Sequence, residues 1–165
     1  MITLPIQPKT KKAVLYIAES QVDITERPAN SNRVKYNNWF YGREVSGSAY
    51  PWCMAFVEWV FAQAGFNLFK TASCSAMVSR YKQVAPHQLI KSNFKAGDIV
   101  FFDFSGKKSK TEHVGICISV SSDGKSVTTI EGNTGVGNEA NGGAVMKRNR
   151  AIGLITCAVR PNYPD

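Results

Sequence analysis

One of the four cysteines, Cys53, stands near the head of the oily stretch PWCMAFVEWVFAQAG, residues 51–65, and the whole chain offers only two histidines, His87 and His113. A cysteine attacks a carbonyl as its thiolate, and the first turn of a helix favours that form through its partial positive charge and free N–H groups. Pro51 suits a first helical position, with Ser48 nearby as a cap, and Gly65 suits the helix end. Cys53 is therefore a candidate nucleophile that needs a base.

His113 opens the segment HVGICISV, Glu131 closes SVTTIEG, and Ser121, Ser122, Asp123 and Gly124 between them are turn formers. A hairpin with its turn halfway between 113 and 131 sets these two residues directly opposite, with Cβ atoms roughly 4.5–5.5 Å apart. The carboxylate then orients the imidazole, and Asn133, two residues on, becomes a diagonal neighbour on the same face. Cysteine, histidine and carboxylate in these roles perform acyl transfer on amides. The competing reading is that Cys53 is a core thiol and His113–Glu131 an ordinary cross-strand pair. His87, in the polar turn VAPHQL, reads as a surface residue.

The elements that must position these residues follow from periodicity. Val14, Leu15, Ile17, Ala18 and Val22 repeat at helical spacing within 10–23, the nearly all-apolar 51–65 is a buried central helix, and a third helix runs over 73–84 until Pro86. Between the first two, residues 26–51 are rich in Asn, Gly, Ser, Pro and aromatics and read as one long ordered loop. From residue 95 onward, strand-like runs over 97–104, 113–120, 126–133, 144–150 and 153–160 alternate with turn clusters. Helices first and short-linked strands second predict an α+β fold with an antiparallel sheet and the central helix packed across it.

Composition sets the remaining bounds. A chain of 165 residues fits one domain, and 44% hydrophobic against 19% charged residues marks a folded globular protein. The formal charge of +8 favours an anionic partner: nucleic acid, an anionic membrane or a cell-wall polymer. No nucleic-acid-binding motif accompanies it. The N-terminal apolar run, 13–18, stops at Glu19, so neither an export signal nor a membrane span is expected. The cysteines lack CxxC spacing, which argues against a metal site, and Cys74, Cys117 and Cys157 read as small buried hydrophobes. Trp59, mid-helix, reads as core, while Trp39 and Trp52 are candidates to line a groove.

Taken in order, PWCMAFVEWVFAQAG, KAGDIVFFDF, EHVGICISV and TIEGNTG resemble a CHAP domain, the cysteine, histidine-dependent amidohydrolases and peptidases related to NlpC-type and papain-like enzymes. The resemblance spans about residues 26–159, and the upstream SNRVKYNNWFYG is similar to the lead-in of phage and prophage members. It implies that Cys53 is the nucleophile, His113 the base, Glu131 its orienting acid and Asn133 a further site residue. It implies peptidoglycan of Gram-positive walls as substrate, cut at an amide by amidase or endopeptidase action, with anionic wall polymers as secondary partners and no nucleic acid. It also implies a monomeric endolysin made in the host cytoplasm and released by a holin, or a tail-associated hydrolase. Trp52, Tyr36 and Trp39 are the substrate-binding candidates, Tyr36 also as an oxyanion donor.

Some phage members carry a calcium loop of clustered aspartates before the cysteine. Here Glu44 is the sole acid between Glu26 and Glu58, so no metal and no cofactor is expected. No wall-binding module is expected after residue 159, leaving one catalytic domain over 1–165. The alternatives are a protein-directed cysteine peptidase or deamidase toxin, and a non-catalytic basic wall-binding module.

Overall fold

In a computed structural model that describes residues 5–165, four α-helices precede a six-stranded sheet. The first four residues, where the reading for an export signal begins, lie outside the described residues. The helices are α1 (Lys11–Ser20), α2 (Lys35–Tyr41), α3 (Cys53–Gln63) and α4 (Cys74–Val84), and the strands are β1 (Leu89–Ile90), β2 (Ile99–Phe102), β3 (His113–Val120), β4 (Ser126–Thr134), β5 (Ala144–Ala151) and β6 (Ile155–Val159). The sheet order is β1-β6-β2-β3-β4-β5, and every neighbouring pair is antiparallel. The α+β architecture expected from helices first and strands second is the one observed.

Local chemistry sets the helix starts. Thr10 caps α1 by accepting from the Ala13 N–H at 3.1 Å, and Ser73 caps α4 by accepting from Ala76 at 3.1 Å. At the head of α3 the cap residue is Trp52, whose side chain makes no capping bond. Ser48 does not cap this helix, and among the described residues no side-chain cap bond covers its first N–H groups.

Residues 26–51 are not one loop. The KYNNWFY stretch forms α2, which ends at Gly42 in the left-handed region, φ 68°. Its neighbourhood of Asn, Gly and Ser hid the helix, which tertiary contact stabilises: Tyr36 is fully buried against Trp52, Phe56 and Trp59 of α3. A helix of seven residues is too short to hold by propensity alone.

The sequence from Cys53 through Phe61 is buried without interruption, so α3 is enclosed on all sides by α1, α2, β3 and β4. Each of its large apolar side chains contributes about 1.5–3 kcal/mol by leaving water. The opposite face of the sheet carries a second apolar cluster around Phe94, Val100, Phe102, Val127 and Ile155. With both faces covered, β2 is buried at every position.

Gly132 is where α3 meets β4. A Cβ there would lie 2.6 Å from the Phe56 Cβ and 2.9 Å from the Trp52 ring, so only glycine permits this approach. Gly132→Ala should lower stability by about 1–3 kcal/mol through overpacking, read as a fall in the thermal unfolding midpoint. An unchanged midpoint would mean that the head of α3 is free to shift.

Candidate active site

The head of α3 and the start of β3 bring Cys53 and His113 together. The two side chains are close enough to influence each other's protonation, and both are buried. His113 is the first residue of β3 and its ring has Phe102 and Phe104 for neighbours, with centroids 6.2 and 5.8 Å away. Its Nε2 meets Glu131 Oε1 at 2.8 Å, whereas Nδ1 has no hydrogen-bond partner among the described residues. The ring is therefore anchored through one nitrogen and leaves the other for the cysteine side.

The His113–Glu131 contact is present, but in a different register from the one expected. Ile116 pairs with Ile130 and Cys117 with Thr129, and a bulge follows before Ser119 pairs with Thr128. Continuing that register toward the strand start puts Gly115 across from Glu131 and Asn133 across from His113. His113 and Glu131 are thus diagonal, and Asn133 is the direct neighbour, the reverse of the symmetric hairpin. The cause is the turn, which is centred between Asp123 and Gly124 and not at Ser122 and so moves the pairing by three positions; the bulge takes one of them back and thereby keeps His113 and Glu131 on one face.

Gly115 makes the diagonal contact possible. A Cβ there would sit 2.6 Å from Glu131 Cγ, so the carboxylate crosses over a residue without a side chain to reach the ring.

Glu131 is completely buried, and its charge has three further supports. Arg150 of β5 donates from Nε to Oε2 at 3.0 Å and from Nη2 to Oε1 at 2.7 Å, and the Thr129 hydroxyl donates to Oε2 at 2.5 Å. Burial alone would raise the carboxyl, but the bonds from Arg150 and His113 outweigh it and bring it down to about 2. Burial likewise would lower His113, yet the neighbouring Cys53 side chain and the bond to Glu131 raise it to about 9. The Cys53 thiol is held well below its ordinary range by the neighbouring Cys74 thiol, against burial, and then by His113 and the Met54 backbone N–H. Both shifts favour a thiolate–imidazolium pair.

Arg150 had no distinguishing mark in the sequence. It lies in AVMKRNRA beside Arg148, and its strand partner is Val127, four positions from Glu131 along β4. Its guanidinium also lies 4.9 Å from the Phe104 ring centroid and bonds Glu139 Oε1 at 2.7 Å. The parity of β5 relative to β4 would have been the only signal, and it required the register.

Asn133 has φ 57°, a left-handed conformation that asparagine tolerates, at the irregularity where β4 leaves its register with β5. It is fully buried and neither amide atom has a hydrogen-bond partner among the described residues. Leaving such atoms unpaired costs about 1–3 kcal/mol each.

Two expected groove residues are instead core. Trp52 is fully buried, stacks on Tyr36 at 5.5 Å and donates from Nε1 to Glu26 Oε2 at 3.1 Å. Tyr36 is equally buried and donates its hydroxyl proton to Gln21 Oε1 at 2.8 Å, so it cannot serve an oxyanion. Trp52 directly precedes Cys53 in the chain, yet both large rings gain more from the α2–α3 interface than from water. Trp39 is 40% exposed and lines a cavity of about 280 Å³ with Glu58, Ala62, Phe66, Asn67, Leu68 and Lys70. Glu58, buried mid-helix and raised to about 8 by burial, accepts from the Thr71 N–H at 2.9 Å.

The CHAP domain family model matches residues 45–133, more than half of the chain. No curated protein matches. Among solved structures, that of the wild-type endolysin LysIME-EF1 is similar with a TM-score of 0.60 at 13% identity, over 94% of this chain and 65% of that one. The crystal structure of Ly7917 is similar with a TM-score of 0.53 at 17% identity, over 92% of this chain and 62% of that one. The chain thus spans just under two thirds of each, and at these identities the likeness is one of fold.

Removing Arg150 should expose the cost of burying Glu131. The carboxyl is lower in the folded than in the unfolded chain, so its stabilisation is complete above its ordinary value near 4.5 and is lost as pH falls toward 2. Arg150→Gln should therefore cost about 3–5 kcal/mol at pH 7 and less at about pH 3, measured by urea unfolding at both. An equal loss at the two pH values would show that Arg150 acts by packing and not by charge.

Proposed function

The chain belongs to the CHAP domain family, and from that premise we propose that it hydrolyses amide bonds of bacterial peptidoglycan with Cys53 as nucleophile and His113 as base and acid. The observation that carries this reading is the buried His113–Glu131 bond at 2.8 Å, made through Nε2, which leaves Nδ1 for the thiol at the head of α3. An ordinary cross-strand pair has no need of a buried anion, a second cation and a neighbouring thiol held low in pKa.

The steps follow from the charges. The Cys53 thiolate attacks the amide carbonyl, and the oxyanion is met by uncapped N–H groups at the head of α3, the Cys53 N–H among them. His113 gives its Nδ1 proton to the leaving amine. A water then loses a proton to Nδ1 and hydrolyses the thioester, which restores the starting pair. Glu131 holds the ring in place and stabilises its charge, with Arg150 and Thr129 fixing Glu131 in turn. Asn133, across from His113 in the continued register, supplies an unpaired amide to the same centre.

We assign the whole of residues 26–159 to one catalytic domain, because α2 packs on α3 from one flank of the family match, while β5 and β6 complete the sheet from the other. Trp39 is the remaining aromatic candidate to meet substrate, and the charge of +8 supports retention on anionic wall polymers. The bond is either that between muramic acid and L-alanine or a peptide bond of the stem or cross-bridge, since the same catalytic roles serve each. An endolysin's place of action, the wall of a Gram-positive host, fits this chemistry.

Cys53→Ala should abolish release of soluble fragments from purified Gram-positive peptidoglycan while leaving the circular dichroism spectrum unchanged; residual lysis would rule out the thiol mechanism. Mass spectrometry of the digest identifies the new amino terminus, and cleavage of casein in preference to peptidoglycan would overturn the wall assignment. The rate should stay high through neutral pH and fall as pH rises through about 9, where the His113 proton needed by the leaving amine is lost. A pH–rate profile of kcat checks this, and a rate still rising above that value would contradict an imidazolium acid.

A further inference from the structure

Cys74 lies against the nucleophile and has no part in the hydrolysis proposed above. Its Sγ is 3.9 Å from that of Cys53, and the two residues open two different 11-residue helices, α4 and α3. Sequence patterning treated Cys74 as a small core residue, one of several. The other two thiols, Cys117 of β3 and Cys157 of β6, are on the sheet and each is pushed up in pKa chiefly by burial.

The approach of the two sulfurs is fixed by more than sequence proximity. The Thr71 N–H is tied to Glu58 of α3 at 2.9 Å, two residues before Ser73 caps α4. This bond holds the head of α4 against the middle of α3. A disulfide has sulfurs about 2.05 Å apart, so the present contact has to close by roughly 2 Å, a distance within reach of side-chain rotation. At 7% and 8% exposure, Cys53 and Cys74 admit a small oxidant and exclude a bulky one.

We propose that Cys53 and Cys74 are a redox pair: a peroxide converts them to a disulfide that stops hydrolysis reversibly and shields the nucleophile from irreversible oxidation. The Cys53 thiolate attacks one peroxide oxygen, the O–O bond breaks, and Cys53 becomes a sulfenic acid as the released hydroxide takes up a proton to form water. Cys74 gives up its proton and its sulfur attacks the Cys53 sulfur. The S–O bond breaks as the S–S bond forms, and the hydroxyl leaves with that proton as a second water. Two thiols and one peroxide thus yield one disulfide and two waters. While Cys53 is an anion, the hydrogen bond to it, burial and its charge keep Cys74 protonated; the sulfenic acid is neutral and removes the charge that holds Cys74 back.

The inference rests on the thiolate character of Cys53 and not on which wall bond is cut, so its readout is separate from lysis. Reduced native and variant chains are treated with hydrogen peroxide in several-fold excess, enough for the two equivalents a sulfinic acid consumes, then alkylated and digested, and the peptides are weighed. The expected product is a peptide pair joining Cys53 to Cys74 and lighter by two hydrogens, with Cys117 and Cys157 alkylated. Dithiothreitol should then restore full activity to the native chain, whereas Cys74→Ala and Cys74→Ser should accumulate sulfinic Cys53 that the reductant does not recover. Sulfinic Cys53 beside an alkylated Cys74 in the native chain, or a disulfide to another cysteine, overturns the proposal. Formation of the Cys53–Cys74 link in a chain that cuts no peptidoglycan supports this pair and sinks the hydrolase reading alone.

Discussion

The structure is organised around one buried anion. Glu131 is wholly removed from water, and an unpaired carboxylate in such a place is prohibitive, so the surrounding strands must bring it partners. Arg150 comes from β5, Thr129 from the same strand and His113 from β3, which commits three strands to a single register around one side chain. Once the anion is held, His113 gains a positive charge and a fixed tilt. The ionisation of Cys53 in turn depends partly on that charge. Much of the geometry of the candidate site is thus a consequence of solvating one carboxylate without water.

Two glycines on alternate faces connect this centre to the core. Gly115 faces Glu131 and leaves the room that its side chain crosses, while Gly132 faces α3 and lets Phe56 and Trp52 close on β4. The first allows base and acid to meet; the second brings the thiol's helix near enough for them to serve it. A methyl group at either place pushes one component out of reach of another. The short Glu-Gly-Asn run therefore has a separate physical reason at each residue: charge, space, and a left-handed turn carrying an amide unpaired among the described residues.

Chemical types were legible before any coordinates. Cys53 at a helix head, His113 at a strand start and Glu131 near a strand end are all where the residue patterns put them, and β3 and β4 fall at the segments read from alternation. What escaped was set by contacts between distant segments. The α2 helix stands in polar sequence and forms because Tyr36 stacks into the core. Trp52 and Tyr36 looked like groove residues because aromatics near a nucleophile often are, but the α2–α3 interface has room for their rings and water has nothing better to offer. Arg150 is indistinguishable from other arginines until β5 is set beside β4.

By itself the sequence determined the inventory: an apolar helix able to carry a cysteine, strands with one histidine and one acid, and an excess of positive charge. Local periodicity and residue chemistry suffice for that, because each depends on neighbours a few positions away. Only the tertiary structure decided which groups touch. It placed Glu131 diagonal to His113, because the turn is centred between Asp123 and Gly124 and a β-bulge then takes back one position, neither of which a count from the turn formers reveals. It supplied Arg150 as the counter-charge and Cys74 as the thiol beside Cys53, since both are long-range meetings of elements whose separation along the chain carries no trace of their distance in space.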